Sequence, residues 1–183
     1  MTVIYSNFGD EDTKVLSAMW EGIEGAVVVT NGPKEKIREA IRNEEDTLLL
    51  CGHGAPTGLW MPTEEGGILG LHVGYAFSSY DIPLIRAKNV IGIWCYASTF
   101  ARNYGVKGFY SSMFISSAME ASLMGVKGVS GEEITASEVL FAKRINSLLR
   151  EGVPLPEWKK KLQSLPLTND VERFNYDGLY YAG

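Results

Sequence analysis

Apolar residues fall along this chain in two kinds of block. Short unbroken runs such as Val3-Ile4-Tyr5, Leu48-Leu49-Leu50-Cys51 and Val90-Ile91-Gly92-Ile93-Trp94 alternate with stretches in which apolar positions recur every three or four residues. Continuous runs mark strands covered by helices on both faces, as in parallel sheets. They predict strands over residues 2–6, 26–30, 47–51 and 89–94. After the first, a polar loop, Phe8-Gly9-Asp10-Glu11-Asp12-Thr13, ends in helix-starting residues, and Val15, Leu16, Met19, Trp20 and Ile23 then follow helical spacing. Asn31-Gly32-Pro33 turns the chain into a charged helix with Ile37, Ala40 and Ile41 facing inward.

Further along, residues 111–124 read as a helix with small residues for close packing, 126–129 as a short strand, and 137–150 as an amphipathic helix closed by Gly152 and Pro154. A short helix is expected over 157–163, and the tail, 174–183, holds an Asp-Gly turn and a final strand. The weaker pattern between Gly54 and Ile82 suggests a hairpin, 58–62 with 67–70, around the turn signal Glu64-Glu65-Gly66. A stretch of this length with little regular structure, between two core strands, belongs to a binding surface. Alternating strands and helices define an α/β fold, a three-layer sandwich with a mostly parallel central sheet. With 183 residues and 45% hydrophobic content, the chain suits one core, so residues 1–183 are expected to form a single domain.

Composition narrows the partners. A net charge of −5, a pI near 5.1 and the lack of any dense Lys/Arg run give no footprint for nucleic acid or for an anionic membrane. No segment approaches the roughly 20 apolar residues of a membrane span. The N-terminus has neither the basic nor the apolar region of a secretory signal, so the expected location is the cytoplasm, an export signal removed beforehand being invisible. Two cysteines, both in apolar strands, argue against a disulfide framework.

Two of the strands end on catalytic residue types, His53 and Cys95. Open α/β sheets place their sites beyond the carboxyl ends of the strands, and adjacent strands lie about 4.8 Å apart. If 47–51 and 89–94 are neighbours, short loops bring imidazole and thiol to one rim, the pairing that makes a thiol nucleophilic. Residue order discriminates further. Both histidines, His53 and His72, precede Cys95, whereas papain-like proteases take theirs from well after the cysteine. Ile93 and Ala97 stand where a G-x-C-x-G elbow needs glycines.

Leu49-Leu50-Cys51-Gly52-His53-Gly54, followed about forty residues later by Ile91-Gly92-Ile93-Trp94-Cys95, resembles the layout of the caspase-like cysteine peptidases, the group of caspases, metacaspases, legumain, gingipain and clostripain. The resemblance covers residues 27–129. It departs from the family at Trp94, where a small residue is common, and the Q-A-C-x-G signature is absent, which suggests a distant branch. The resemblance implies a caspase-like fold and hydrolysis of peptide bonds in a peptide or protein substrate. Cys95 would be the nucleophile, His53 the base that later protonates the leaving amine, and Gly54 an oxyanion donor beside the Cys95 N–H. It implies no cofactor for the chemistry; calcium, which some relatives require, would act on activation. Many relatives cleave themselves, and Arg102, Lys107 and Lys127 are basic candidates in expected loops.

Substrate-binding candidates are less specific. Glu132 and Glu133 follow the strand expected at 126–129 and would lie at the catalytic edge, able to line a pocket for a basic side chain; the alternative is the acidic first turn of the next helix. Trp60, with Tyr75, Phe77 and Tyr80, offers aromatic surface near the cleft, or else core packing. Asp10, Glu11 and Asp12 read as a solvated loop at the end of the first strand. Cys51 shares a strand face with His53, which raises a zinc set of Cys51, His53, His72 and Cys95. A C-x-H pair inside a strand is not the turn-borne pair of structural zinc sites, so no metal is assigned, Cys51 reads as core and His72 as surface. Two other functions remain open: a catalytically inactive caspase-like binding protein, favoured by Trp94, and another cysteine-dependent hydrolase on a flavodoxin-like sheet.

Overall fold

Leucine-rich and β-branched runs with no polar face assemble edge to edge and need helices on both sides. The computed structural model, which describes residues 1–63 and 72–183, has that arrangement. Its strands are β1 (Thr2–Tyr5), β2 (Val27–Thr30), β3 (Thr47–Cys51), β4 (Gly54–Ala55), β5 (Gly58–Pro62), β6 (Val73–Ser78), β7 (Asn89–Ile93), β8 (Gly108–Tyr110) and β9 (Tyr180–Ala182). Its α-helices are α1 (Glu11–Lys14), α2 (Lys34–Asn43), α3 (Ala97–Tyr104), α4 (Ala118–Leu123), α5 (Gly131–Arg150), α6 (Leu155–Gln163) and α7 (Asp170–Asp177). The main sheet has six strands in the order β2-β1-β3-β7-β8-β9; the first five are parallel and β9 runs antiparallel to β8. A smaller antiparallel sheet, β4-β5-β6, packs beside it.

Side chains alternate across each strand, and the two faces feed separate cores. Val3, Tyr5, Leu49, Cys51, Ile91, Ile93 and Phe109 pack with Phe141 and Ile145 of α5, Trp158 of α6 and Tyr176 of α7. Ile4, Leu48, Leu50 and Val90 pack on the other face with Ile37 and Ile41 of α2, Phe100 of α3 and Leu59 and Phe77 of the small sheet. The result is an α/β fold with a mostly parallel sheet covered on both sides. Among the described residues no helix is long and apolar enough to cross a membrane.

Several expected elements differ. Residues 111–124 are helical only over α4, because Ser111 and Ser112 are tied to the end of β7. The Ser111 hydroxyl accepts from the Trp94 N–H at 3.0 Å and donates to the Trp94 carbonyl at 2.8 Å, while the Tyr96 N–H donates to the Ser112 carbonyl at 2.9 Å. Residues 126–129 form no strand. Gly125 and Gly128 take positive φ angles (76° and 74°) that turn the chain, and Val126 and Val129 pack against a small cluster of Ile115, Ile134 and Val171. The fifth parallel strand is instead β8, which the sequence pattern missed together with α3 and α7. The helix expected from Val15 is a 3-10 turn over Val15–Met19. Arg102 lies within α3, its guanidinium over the Tyr180 ring at 4.2 Å, rather than in a loop. The turn Glu64-Glu65-Gly66 and the strand expected at 67–70 lie outside the described residues; β5 pairs with β6.

One buried carboxylate fastens the small sheet to α2. Asp81, fully buried, accepts from Lys34 Nζ at 2.6 Å, Arg38 Nε at 2.9 Å and the Ser78 N–H at 2.9 Å. Burial alone would raise its pKa, but the bonds from Lys34 and Arg38 outweigh it and hold the carboxyl below the usual range. A lowered folded pKa means that this stabilisation is full above about pH 4 and is lost as pH falls through the folded value. Asp81→Ala should therefore cost about 3 kcal/mol at pH 7, the low end for a broken buried pair because both cations stay partly hydrated. Urea unfolding at a series of pH values should show a flatter acid limb for the variant than for the wild type.

Candidate active site

Strand register sets the site. The paired rows Tyr5↔Cys51 and Cys51↔Ile93 align the carboxyl ends of β1, β3 and β7, so His53 and Cys95 each stand two residues beyond a matched pair. Strand order reverses at β1, where β2 lies to one side and β3 to the other, and such switch points open a crevice at the carboxyl edge. His53 and Cys95 line one pocket there with Asp12, Ser116 and Glu138.

Gly52 makes the sharp exit from β3 possible. Its φ is +138° and a Cβ there would lie 2.5 Å from the Ser6 carbonyl oxygen, so only glycine fits. His53 then projects to the rim, with Phe8 edge-on to its ring at 5.2 Å between centroids and its Nε2 2.9 Å from Asp10 Oδ2. Asp10 is itself fixed by the Thr13 N–H at 2.7 Å and the Thr13 hydroxyl at 2.8 Å. Burial pushes its carboxyl up, but the Thr13 bonds and the His53 contact together hold it below its ordinary value, as an anion. Asp10, expected only as a solvated loop residue, is a partly exposed N-cap of α1 that also contacts the histidine. The available signal was its place at the carboxyl end of β1, next to β3.

Trp94 and Cys95 continue the face alternation of β7, and this resolves the tryptophan. Its indole packs into the α2/α3 side, donates from Nε1 to the Ala55 carbonyl at 3.1 Å and meets Phe100 edge-on at 5.8 Å, while Cys95 packs on the α5 side. Trp94 therefore does not block the thiol. Tyr96, at φ +66°, takes the left-handed conformation that lets β7 turn into α3. The Tyr96, Ala97 and Ser98 N–H groups are bonded to Ser112, Trp94 and Ser111 carbonyls, whereas the Cys95 N–H has no partner among the described residues.

The thiol is at rest. Its sulfur donates to the Phe114 carbonyl at 3.6 Å and makes no hydrogen bond with His53. Burial first, with the negative charge of Glu120, Glu138 and Asp12, pushes the Cys95 thiol up to about 11. Cys51 is fully buried, and burial pushes its thiol further up still.

The remaining candidates separate. Gly54 opens β4, and a Cβ there would clash with Trp94 Cδ1 and lie 2.7 Å from the Gly58 carbonyl oxygen. The Trp60 N–H donates to the His53 carbonyl at 2.8 Å, which makes 53 and 60 a hydrogen-bonded pair. Alternation along an antiparallel ladder then turns the Gly54 N–H away from β5. Trp60 is joined to His53 through its backbone and its side chain is not part of the pocket wall. Glu132 and Glu133 sit in the first turn of α5, which starts at Gly131, earlier than expected. Glu133 accepts from the Ser130 N–H at 2.8 Å in a capping box, and neither glutamate lines the pocket. The pocket acids are instead Asp12 and Glu138. His72 is exposed, and among the described residues no group of three His, Cys, Asp or Glu could hold a metal ion. A scan against family models and searches of curated proteins and of solved structures return no match.

Neutral iodoacetamide should label Cys95 at pH 7 roughly three-hundredfold more slowly than a free thiol near 8.5, with the rate rising about tenfold per pH unit toward 11. Mass spectrometry should find Cys51 unlabelled until the protein unfolds. Gly54→Ala should lower stability by about 2 kcal/mol in thermal and urea unfolding through the Trp94 clash. A Gly54→Ala protein as stable as wild type would instead reserve that glycine for a purely chemical role.

Proposed function

We propose that this protein is a caspase-like cysteine peptidase in which Cys95, His53 and Asp10 act together. The observation that carries the reading is the β3/β7 register, which sets an imidazole backed by an ionised carboxylate and a cysteine on the wall of one pocket. With Asp10 an anion, its bond to His53 requires the proton on Nε2 and leaves Nδ1 to act as the base. As substrate enters, Nδ1 takes the thiol proton and sulfur attacks the peptide carbonyl. The Cys95 and Gly54 N–H groups are the donors for the resulting oxyanion, each such donor supplying about 3 kcal/mol. The imidazolium then protonates the leaving amine, and a water activated by the same nitrogen hydrolyses the thioester, returning the proton to sulfur. No step calls for a cofactor. The layout of the two motifs and the covered, mostly parallel sheet support a caspase-like fold, and the two-residue offset from a paired row accounts for the His-Gly and Cys spacing without a G-x-C-x-G elbow.

A second reading is favoured by the thiol itself. A sulfhydryl held near 11 and bonded to the Phe114 carbonyl is poorly activated, as in a caspase-like protein that binds a peptide without cutting it. Fluorogenic peptides with Arg, Lys, Asp or Asn at the cleavage position decide between them. Turnover should vanish in Cys95→Ala, fall by at least about a hundredfold in His53→Ala, and fall by roughly a hundredfold in kcat with little change in KM for Asp10→Asn. Peptide binding without turnover in the wild type would select the binding protein, and turnover of small esters alone would select the flavodoxin-like hydrolase.

A further inference from the structure

The main sheet ends on one side at β2, and that edge is bare. The register Thr2↔Val27 to Tyr5↔Thr30 pairs β2 with β1 alone. The Val27 N–H donates to the Met1 carbonyl at 3.0 Å and the Asn31 N–H to the Tyr5 carbonyl at 3.4 Å. Backbone groups alternate in direction along a strand, so Val27, Val29 and Asn31 bond to β1 while Val28 and Thr30 turn their N–H and C=O groups outward. Among the described residues, no turn, loop or side chain bonds to those four groups. The chain leaves the edge on either side of them. The Ala26 N–H is taken by the Ile23 carbonyl at 3.3 Å, and Asn31 (φ +44°) and Gly32 (φ +111°) turn the backbone toward α2.

The side chains leave this edge open as well. Val27 is 58% exposed and Val28 39% exposed, on opposite faces of the strand, whereas Val29 is buried with Ile37 and Ile41 of α2. Sheets blunt a free edge with charge, proline or a bulge. Here Gly25 to Pro33 carry no charged side chain, proline enters only after the strand has ended, and the register with β1 runs without a bulge. The far edge is different. β9 is three residues long, and Lys159 and Lys160 line a groove with Tyr180 and Tyr181 of that strand.

We propose that β2 is a self-association edge, pairing antiparallel with β2 of a second copy of this chain about a two-fold axis through Val29. Val28 then lies opposite the partner's Thr30 and Thr30 opposite the partner's Val28. Each pair exchanges two backbone hydrogen bonds, so every outward group at 28 and 30 is satisfied. Other axes fail. One through Val28 sets Thr30 against Ala26, whose N–H is already used; one through Thr30 sets Val28 against Gly32, beyond the turn; and one between residues opposes outward groups to inward ones. The edge itself selects this occupant, because its row of donors and acceptors is complementary to its own copy under a two-fold. In a chain of net charge −5, an uncharged strand is also where two copies meet without like charges face to face. The axis stands perpendicular to the sheet, so the two six-stranded sheets become continuous and the two pockets open at opposite ends, both uncovered. The pairing does not depend on the peptidase reading.

The strand is short, so the dimer is a reversible one. Sedimentation equilibrium from about 5 µM to about 1 mM should carry the wild type from monomer to dimer. Val28→Lys, checked for folding by its thermal melt, sets two lysines diagonally across the axis and should weaken association by about tenfold or more. Amide exchange read by NMR on the wild type locates the contact. Protection at Val28 and Thr30 should rise with protein concentration, while Val27 and Val29, already bonded to β1, stay unchanged. A monomer throughout the range, a dimer of equal strength in Val28→Lys, or a dimer whose Val28 and Thr30 amides remain unprotected would each overturn the proposal, the last by assigning the contact to another face.

Discussion

The register between β3 and β7 is the constraint on which the rest of this structure depends. Cys51 opposite Ile93 fixes where both strands end, and the side chains two residues beyond meet at one rim. A one-residue slip in either strand would send every side chain to the other face. His53 or Cys95 would then point toward α2 and α3, and the pocket would lose one of its walls. The register is held by burial on both faces, since Leu48 and Leu50 fit one core and Leu49 and Cys51 the other. Packing far from the rim therefore sets the chemistry at the rim.

Opposing electrostatic demands meet there. Asp10 is kept ionised by bonds from Thr13 and from His53. Glu138 on α5 and Asp12, in the helix that Asp10 caps, are pushed toward their neutral forms by burial. The thiol stands between the two environments and responds to the second more than the first, which is why it rests protonated on the Phe114 carbonyl. A site of this kind is quiet when empty. No lysine or arginine faces the pocket among the described residues.

Trp94 shows how one bulky side chain dictates its surroundings. Its ring requires glycine at both 54 and 92, since a Cβ at Gly92 would lie 2.6 Å from Cζ3 and one at Gly54 would clash with Cδ1. The His-Gly pair after β3 consequently has a packing cause as well as any chemical one. The small sheet is anchored by the same residue through Ala55 and by Asp81 through α2, so the strand bearing Gly54 is held from two directions.

Read alone, the chain already determined the α/β alternation, the strands through β3 and β7, and the histidine and cysteine at their ends, because continuous apolar runs and terminal residue types are local properties. It also indicated Glu132 and Glu133 as helix-start acids, the reading that the Ser130 capping box supports. Only the tertiary structure decided that Asp10 backs His53, that Glu138 rather than Glu132 or Glu133 reaches the pocket, and that 108–110 rather than 126–129 forms the fifth parallel strand. Asp10 lies 43 residues from His53 in sequence, and Glu138 sits on a helix whose inward face is set by packing against Leu16 and Met19 as much as by its own periodicity. Contacts of that range are products of strand order and layer packing, which no local pattern of polar and apolar residues encodes.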